Sequence, residues 1–223
     1  MPQLTKTPYD PVKDLAPISV IGTNPYVLVV NARLPVQTLA EFIAHVRRQP
    51  DKVAYAAPVF GGLSHLSMIV FMKRAGLEMT PVSYKGGAAP LADVVAGHVP
   101  VYFATLSEAV SQARGGAVRL LAVSSERRVT QLPDVPTFAE SGFPGFKVLT
   151  WNGLMAPAAV AAEITDRIAG EVSRSVKDAR FAERLAGFGV DPLGNTPAQF
   201  AALIAADIVL WGEAVKIAGP PEK

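Results

Sequence analysis

The 223-residue chain contains no cysteine. That absence excludes disulfides, thiolate nucleophiles and cysteine-ligated metals. No apolar run reaches the roughly 18–20 residues that a membrane-spanning helix requires, and the first residues lack the apolar core of a signal peptide. The charge is balanced, since 21 Lys and Arg oppose 19 Asp and Glu for a formal charge of +2. This balance, without a basic cluster interleaved with aromatic side chains, argues against nucleic-acid binding.

Half of the residues are hydrophobic, which is typical of α/β proteins whose parallel strands are buried on both faces. The length suffices for one large domain or two small ones. Strand-like and helix-like segments alternate before a helical C-terminal part, so we predict a largely parallel α/β sheet. The predicted strands are 18–21, 26–31, 53–57, 79–82, 99–103, 119–124 and 147–155. The predicted helices are 38–48, 66–75, 88–95, 107–114, 158–177, 179–187 and 196–218. A turn is predicted at 22–25 and a single helical turn at 137–141. Gly76 is predicted to be a left-handed C-cap, and Thr196 with Gln199 to open the last helix as a capping box.

Two strand–glycine–helix junctions are the most informative pattern. The first is Gly61-Gly62-Leu63-Ser64-His65 and the second is Gly86-Gly87-Ala88. A glycine turn before a helix leaves its first backbone N–H groups without partners and lets an anion approach them. The two junctions therefore indicate a site for a small, negatively charged molecule. Plain turn chemistry is the alternative at either junction alone, and neither matches a Walker or dinucleotide fingerprint.

The sequence offers no complete catalytic or metal-binding constellation. The spacing of His45, His65 and His98 fits no metal motif, so neither a metal nor a cofactor is expected. His65 either hydrogen-bonds an anion or packs against and caps its helix. Ser64 beside it suggests a serine hydrolase, but there is no GxSxG elbow and no third residue. Lys85, on a glycine turn, is expected to be exposed and therefore unsuited to Schiff-base chemistry.

Several segments together resemble the Bug proteins, the periplasmic receptors of tripartite tricarboxylate transporters. They occur in order from about Thr7 to Gly219, and the set is far more specific than any one member. The segments are Tyr9–Ile18 (YDPVKDLAPI), Tyr26–Leu34 (YVLVVNARL), Tyr84–Leu91 (YKGGAAPL), Leu120–Ser124 (LLAVS), Leu132–Pro136 (LPDVP), Ala139–Gly142 (AESG), Leu154–Pro157 (LMAP) and Trp211-Gly212.

This resemblance implies a two-lobed, type II periplasmic-binding-protein (Venus-flytrap) fold of mainly parallel α/β sheets, with a cleft between the lobes. Lobe one would comprise 1–32 and about 149–223, and lobe two about 33–148. The implied ligand is a small organic carboxylate (a di- or tricarboxylate, an amino acid or an aromatic acid), held mainly by backbone amides with Ser64 and His65 as donors. The ligand-facing residues so implied are Gly61, Gly62, Ser64, His65, Gly86, Gly87, Ala88, Ala104 and Thr105.

Two departures from the family pattern bear on ligand binding. Family members begin with an export signal and a strand leading to a Pro-Gly-Gly loop, whereas this sequence starts near its Tyr9-Asp10-Pro11 segment. Lobe one is therefore expected to be N-terminally truncated and to expose apolar surface from 26–30 and the C-terminal helices, which a homodimer could cover. Family members also commonly carry Asp at the position of Ala104.

The resemblance favours a non-catalytic periplasmic receptor that binds a carboxylate and delivers it to transporter membrane subunits. Three alternatives stay open. They are a degenerate or truncated receptor without a transport role, a regulatory small-molecule sensor domain of the same fold, and a small hydrolase using Ser64 and His65. If the anion site is real, the two glycine junctions should lie at the same edge of one parallel sheet.

Overall fold

In the computed structural model, which describes residues 7–49, 52–86 and 88–219, the chain divides into two units. Unit 1 contains 7–24 and 150–219, and unit 2 contains 25–149. The chain first passes from unit 1 to unit 2 between Asn24 and Pro25. This is earlier than residue 32, because Tyr26–Val30 pair inside the sheet of unit 2. The expectation that these residues are exposed is wrong, since none of them is more than 7% exposed.

Unit 2 contains five strands and four helices among its described residues. They are β1 (Leu15–Asn31, which begins in unit 1), α1 (Leu39–Arg47), β2 (Ala54–Ala57), α2 (Leu63–Ala75), β3 (Thr80–Ser83), α3 (Ala89–Ala96), β4 (Val101–Thr105), α4 (Leu106–Arg114) and β5 (Val118–Val123). The strand order is β3-β2-β4-β1-β5. β3, β2 and β4 run parallel, whereas β1 is antiparallel to both of its neighbours. The predicted mainly parallel sheet is therefore confirmed, with β1 as the one reversed strand.

Local capping signals explain most helix ends. Thr38 caps α1, and its hydroxyl accepts from the Glu41 N–H at 3.1 Å. Gly76 ends α2 in the left-handed conformation, as predicted. α2 begins at Leu63, three residues before the predicted start, because its N-cap is a glycine that carries no polar side chain to mark it.

The predicted turn at 22–25 is wrong, since β1 runs unbroken from Leu15 to Asn31. Its Gly22 and Thr23 pair with Pro192 and Asp191 of a distant strand. Glycine and proline favour a turn locally, but this ladder holds the backbone extended. A contact far away in sequence thus overrides the local preference.

Aromatic rings join the helices of unit 2 to the long connection after β5. The described segment 126–147 forms no regular helix, apart from the predicted single turn, in which the Ser141 N–H donates to the Thr137 carbonyl at 3.1 Å. Phe138 and Phe146 of this segment lie 4.4 Å apart by ring centroid, and both pack against Phe71 and Phe103. The connection is irregular but belongs to the core.

Unit 1 contains the first part of β1 with two further strands and three helices among its described residues. They are β6 (Leu149–Pro157), α5 (Ala162–Ser175), α6 (Ala179–Gly187), β7 (Asp191–Pro192) and α7 (Pro197–Ala218). β6 and β7 both pair with β1. Thr196 and Gln199 form the predicted capping box that opens α7. Gly153 of β6 leaves room for Phe200, since a Cβ at residue 153 would lie 2.5 Å from the ring.

The helices of unit 1 leave much of their apolar surface uncovered, as expected for the C-terminal helices. Their exposed large apolar side chains include Ile164, Ile168, Phe181, Phe188, Val209, Leu210 and Ile217. Among the described residues, not even the long helix α7 has the length and apolarity that would carry it across a bilayer.

Candidate functional site

The carboxyl ends of β2, β3 and β4 lie at one edge of the unit 2 sheet. β2 pairs in parallel with β3, where Ala57 lies beside Ser83, and with β4, where Tyr55 lies beside Val101. Each strand continues into a helix, so the N termini of α2, α3 and α4 meet at this edge. The prediction that both glycine junctions share one edge of a parallel sheet is confirmed.

Backbone hydrogen bonds hold the two glycine junctions side by side. The Gly86 N–H donates to the Pro58 carbonyl at 2.8 Å, and the Tyr84 N–H donates to the Ala57 carbonyl at 3.0 Å. Gly86 has φ of 84°, a conformation that side chains strongly disfavour. Gly87, the next residue predicted for the site, lies outside the described residues.

The first glycine pair shapes its loop and has no donor to spare for a ligand. The Gly61 N–H donates to Nδ1 of His65 at 3.0 Å, and the Gly62 N–H donates to the Val59 carbonyl at 2.9 Å. Gly62 is the N-cap of α2, so the next N–H groups are those of Leu63, Ser64 and His65. These three groups have no acceptor within the helix. Sequence analysis missed Leu63, although its place directly after the cap glycine was a usable signal.

The side chains of Ser64 and His65 act within the protein. The Ser64 hydroxyl donates to the Phe103 carbonyl at 2.7 Å, so it is engaged within the protein, and donation by Ser64 to a ligand stays a prediction. The His65 ring is 2% exposed and lies 4.6 Å from the Phe60 ring and 6.0 Å from the Tyr55 ring. Burial lowers the pKa of His65, and its Nδ1 accepts a hydrogen bond. The neutral ring therefore packs against its neighbours and fixes the loop. Of the two roles considered for His65, this is packing rather than hydrogen bonding to an anion.

The hydrolase interpretation is contradicted by the same contacts. A serine nucleophile needs its hydroxyl hydrogen-bonded to a base, but the Ser64 proton points to a main-chain carbonyl and His65 Nδ1 faces the Gly61 N–H. Lys85 is exposed, as predicted.

Tyr84, beside the second glycine junction, is engaged by a carboxylate. Its hydroxyl donates to Asp93 at 2.7 Å, and burial together with this hydrogen bond raises the pKa of Tyr84 to about 12. The phenol is therefore protonated at neutral pH and supplies no base.

The Ala104 side chain lies in the core. It is 0% exposed and packs in the apolar cluster that includes Val27, Ala56 and Leu106, so a ligand contact at residue 104 would have to come from its backbone and stays a prediction. The pleat of β4 points this side chain into the core. Thr105, the next residue, is partly buried, and both its N–H and its hydroxyl donate to Glu108 Oε2, at 3.0 and 2.9 Å.

The three helix N termini at this edge differ in their charge environment. α4 carries Glu108 in its first turn, and this carboxylate already occupies the positive end of the helix dipole. Neither α2 nor α3 has an acidic residue in its first turn or a side-chain cap among the described residues. Ala88, the N-cap of α3, is exposed. Any capacity for binding an external anion therefore lies at α2 and α3.

Within the part of the chain that the structure describes, no group of histidine, aspartate and glutamate side chains is arranged to hold a metal ion. The site consists of backbone dipoles instead. Such dipoles stabilise a bound negative charge but neither abstract a proton nor attack a substrate.

Comparison with known proteins matches this chain to receptors. The family described as "Tripartite tricarboxylate transporter family receptor" matches residues 1–219. Protein BugT of Bordetella pertussis is 32% identical over 212 residues, which are 95% of this chain and 65% of that protein. A UPF0065 protein from the tcbD-tcbE intergenic region of Pseudomonas sp. strain P51 is 31% identical over 207 residues, 92% of this chain and 62% of that one. The chain thus spans a little under two thirds of the length of these curated relatives.

Solved structures confirm the fold. Rpa4515 of R. palustris, solved with adipate, superposes with a TM-score of 0.89 at 31% identity. The match covers 97% of this chain and 73% of the Rpa4515 chain. The periplasmic binding protein BugD superposes with a TM-score of 0.85 at 28% identity, and the match covers 100% of this chain and 75% of the BugD chain. MatC of Rhodopseudomonas palustris, with bound malate, superposes with a TM-score of 0.82 at 29% identity, and the match covers 94% of this chain and 72% of the MatC chain.

Proposed function

Because the chain belongs to the tripartite tricarboxylate transporter receptor family, we propose that it is an extracytoplasmic solute receptor for a small organic carboxylate. The observation that carries this proposal is the pair of uncapped helix N termini, α2 and α3, at one edge of the unit 2 sheet. Helix N termini bind carboxylates through unpaired N–H groups and the helix dipole. Two structurally similar proteins were solved with adipate and malate, both dicarboxylates, which supports this ligand class.

In this proposal a ligand carboxylate accepts hydrogen bonds from the N–H groups of Leu63, Ser64 and His65. These donors are held in place before the ligand arrives. The Ser64 hydroxyl ties the first turn of α2 to β4 through the Phe103 carbonyl, and the His65 ring ties it to the Gly61 turn. Preorganised donors lose little conformational entropy on binding, which favours affinity. The Ser64 and His65 side chains thus act as positioning groups.

Family membership also leads us to propose a periplasmic location and delivery of the bound carboxylate to transporter membrane subunits. One structural relative is described as a periplasmic binding protein. The family is one of receptors rather than enzymes. This agrees with the purely dipolar chemistry of the candidate site.

The sharpest test is Leu63→Pro. Leu63 is the first residue of α2, and the Gly62 N-cap before it is extended, with φ of −70° and ψ of 164°. Proline is tolerated at this helix position and after an extended residue, but it removes one N–H donor. A charge-assisted hydrogen bond contributes about 1.5–3 kcal/mol, so the variant should bind adipate or malate roughly ten- to a hundredfold more weakly by calorimetry.

Ala162→Pro is the matched control, since it places proline at the first position of α5 in unit 1, after an N-cap with φ of −58° and ψ of 137°. It should leave the affinity unchanged. Melting curves of both variants would show that each is folded. If wild-type protein binds neither these dicarboxylates nor a tricarboxylate, an amino acid or an aromatic acid, the proposed function is wrong. If it binds them and Leu63→Pro binds equally well, the carboxylate lies elsewhere.

A further inference from the structure

The loop between β2 and α2 carries an exposed apolar side chain, Val59. It is 56% exposed and lies four residues before Leu63, whose N–H is the first of the three donors proposed to hold a ligand carboxylate. A single exposed apolar residue is ordinary on a protein surface. The position of Val59 is informative because the loop fixes it beside those donors.

A tight turn holds Val59 in place. The Gly62 N–H donates to the Val59 carbonyl at 2.9 Å, and Gly61 between them has φ of 71°. This β-turn has a positive φ at its third residue, which glycine adopts without strain. Phe60 packs on the protein, with its ring 4.6 Å from the buried His65 ring. The turn is therefore fastened through Phe60 and presents Val59 to the outside.

The Val59 isopropyl group lies directly beside the N-cap of α2. A Cβ built on Gly62 would lie 3.2 Å from the Val59 Cβ, and glycine has no side chain to separate the two. A carboxylate that accepts from the N–H groups of Leu63, Ser64 and His65 must lie just beyond this N-cap, because these groups point out of the helix N terminus. The first carbons of the ligand would then lie next to the valine methyl groups.

The side chains around the two glycine junctions offer few partners for a further polar group on the ligand. In the described segments 58–65, 84–86 and 88–89, the residues with polar side chains are Ser64, His65, Tyr84 and Lys85. Ser64, His65 and Tyr84 are each hydrogen-bonded within the protein. Lys85 is exposed, and its ammonium suits a second carboxylate. On the unit 2 side of the site, a ligand therefore meets main-chain donors, a cation and apolar groups.

We propose that the site prefers dicarboxylates with an unsubstituted hydrocarbon chain, and that Val59 determines this preference by packing against the chain. The preference rests on the proposed function, since it concerns how the same site selects among carboxylates. Each ligand methylene that Val59 removes from water should tighten binding about fourfold. A ligand hydroxyl at the same place would give up its hydrogen bonds to water without gaining a partner. A hydroxy acid should therefore bind more weakly than the acid that lacks the hydroxyl.

Calorimetry with succinate, malate and adipate tests the proposal, since malate adds a hydroxyl to succinate and adipate lengthens its chain by methylenes. The wild type should bind malate at least about fivefold more weakly than succinate, and adipate more tightly than succinate. Val59→Thr replaces a methyl group by a hydroxyl in a side chain of the same shape, and should lower the succinate-to-malate affinity ratio about threefold or more. Val12→Thr is the matched control, because Val12 is similarly exposed (58%) in unit 1, and it should keep the wild-type ratio.

Melting curves would show that each variant is folded. Val59→Ala, which should reduce the advantage of adipate over succinate, takes the place of Val59→Thr if that variant does not fold. A wild type that binds no carboxylate of any class contradicts the proposed function itself. A wild type that binds other carboxylates but none of these three, or that does not prefer succinate to malate, overturns this inference alone. The same holds for a preference that Val59→Thr and Val12→Thr retain equally, since the selecting group would then lie elsewhere.

Discussion

Unit 2 leaves almost none of its described large apolar side chains exposed, whereas unit 1 exposes many of its own. Among the described residues of unit 2, Val59 is the one exposed large apolar residue, and unit 1 has twelve. Of the twelve largest fully buried side chains in the described chain, all but Phe200 belong to unit 2. Apolar residues occur throughout the sequence, so the two units differ in coverage rather than in composition.

The difference follows from the number of layers that each unit contains. In unit 2 the connection 126–147 packs its phenylalanines against α2 and β4, and the cluster around Val27 joins α3 and α4 to the sheet. In unit 1 the first part of β1 has the two-residue β7 as one of its partners, and α6 has no fully buried residue. A sheet and its helices are stable when both bury an apolar face. Unit 2 meets that condition among its described residues, whereas the described part of unit 1 leaves the outer faces of its helices exposed.

The largest expected effect is in the aromatic cluster of unit 2. Phe138→Ala removes a ring that is 0% exposed and contacts four other phenylalanines. The variant should lose about 3–5 kcal/mol of unfolding free energy, the usual cost of such a truncation in a core, as measured by urea titration. A loss below about 1 kcal/mol would mean that the connection 126–147 is only loosely attached.

Ser124→Ala should have the next largest effect. The Ser124 hydroxyl is buried, accepts from the Tyr26 N–H at 2.8 Å and donates to the Val148 carbonyl. Removing it leaves two buried backbone groups unpaired, at about 1–3 kcal/mol each. Ser125→Ala is the matched control, because that hydroxyl donates to the nearby Arg127 carbonyl at an exposed position. The control should change stability by less than about 0.5 kcal/mol.

A pair of helical valines isolates the difference in coverage between the units. Val94 of α3 is 0% exposed and Val209 of α7 is 71% exposed. Replacing either by alanine changes the helix propensity equally, but only Val94→Ala removes buried methyl groups and leaves a cavity, at about 2–3 kcal/mol. Val209→Ala should stay within about 0.5 kcal/mol of wild type. Similar losses from the two changes would show that α7 is covered in solution.

Local chemistry explains which parts of the fold were predictable. Thr38 and Thr196 mark their helices because a capping hydroxyl acts within three residues. The start of α2 was missed because a glycine cap leaves no such mark, and the continuity of β1 was missed because Gly22 is held by Pro192. The alternation of strands and helices was enough to predict the parallel sheet.

The candidate site was predictable in place but not in detail. Two glycine junctions in parallel βα units must meet at one sheet edge, so their position followed from the pattern. Which N–H groups stay unpaired depends on contacts such as those of Gly61 with His65 and of Gly62 with Val59. Whether Ala104 faces the edge or the core depends on the pleat of β4, and sequence neighbours do not fix that register.

The smallest expected effect is the pH dependence that His65 of unit 2 adds to the stability. Burial lowers the pKa of His65 in the folded state, so the unfolded chain takes up a proton first as the pH falls below about 6.5. The free energy of unfolding should therefore be greatest above that pH and decrease as the pH falls through the folded pKa.

His65→Asn tests this contribution. The variant keeps an acceptor for the Gly61 N–H but does not titrate, so its urea midpoint should change less between pH 7 and 5 than that of the wild type. His45→Asn, on α1, leaves the buried ring in place and is the matched control for the substitution. Because burial raises the pKa of Asp191 and Asp207 and so acts in the opposite direction, the comparison with His65→Asn decides. If that variant and the wild type change equally between pH 7 and 5, the His65 ring is not held neutral in the loop that shapes the carboxylate site.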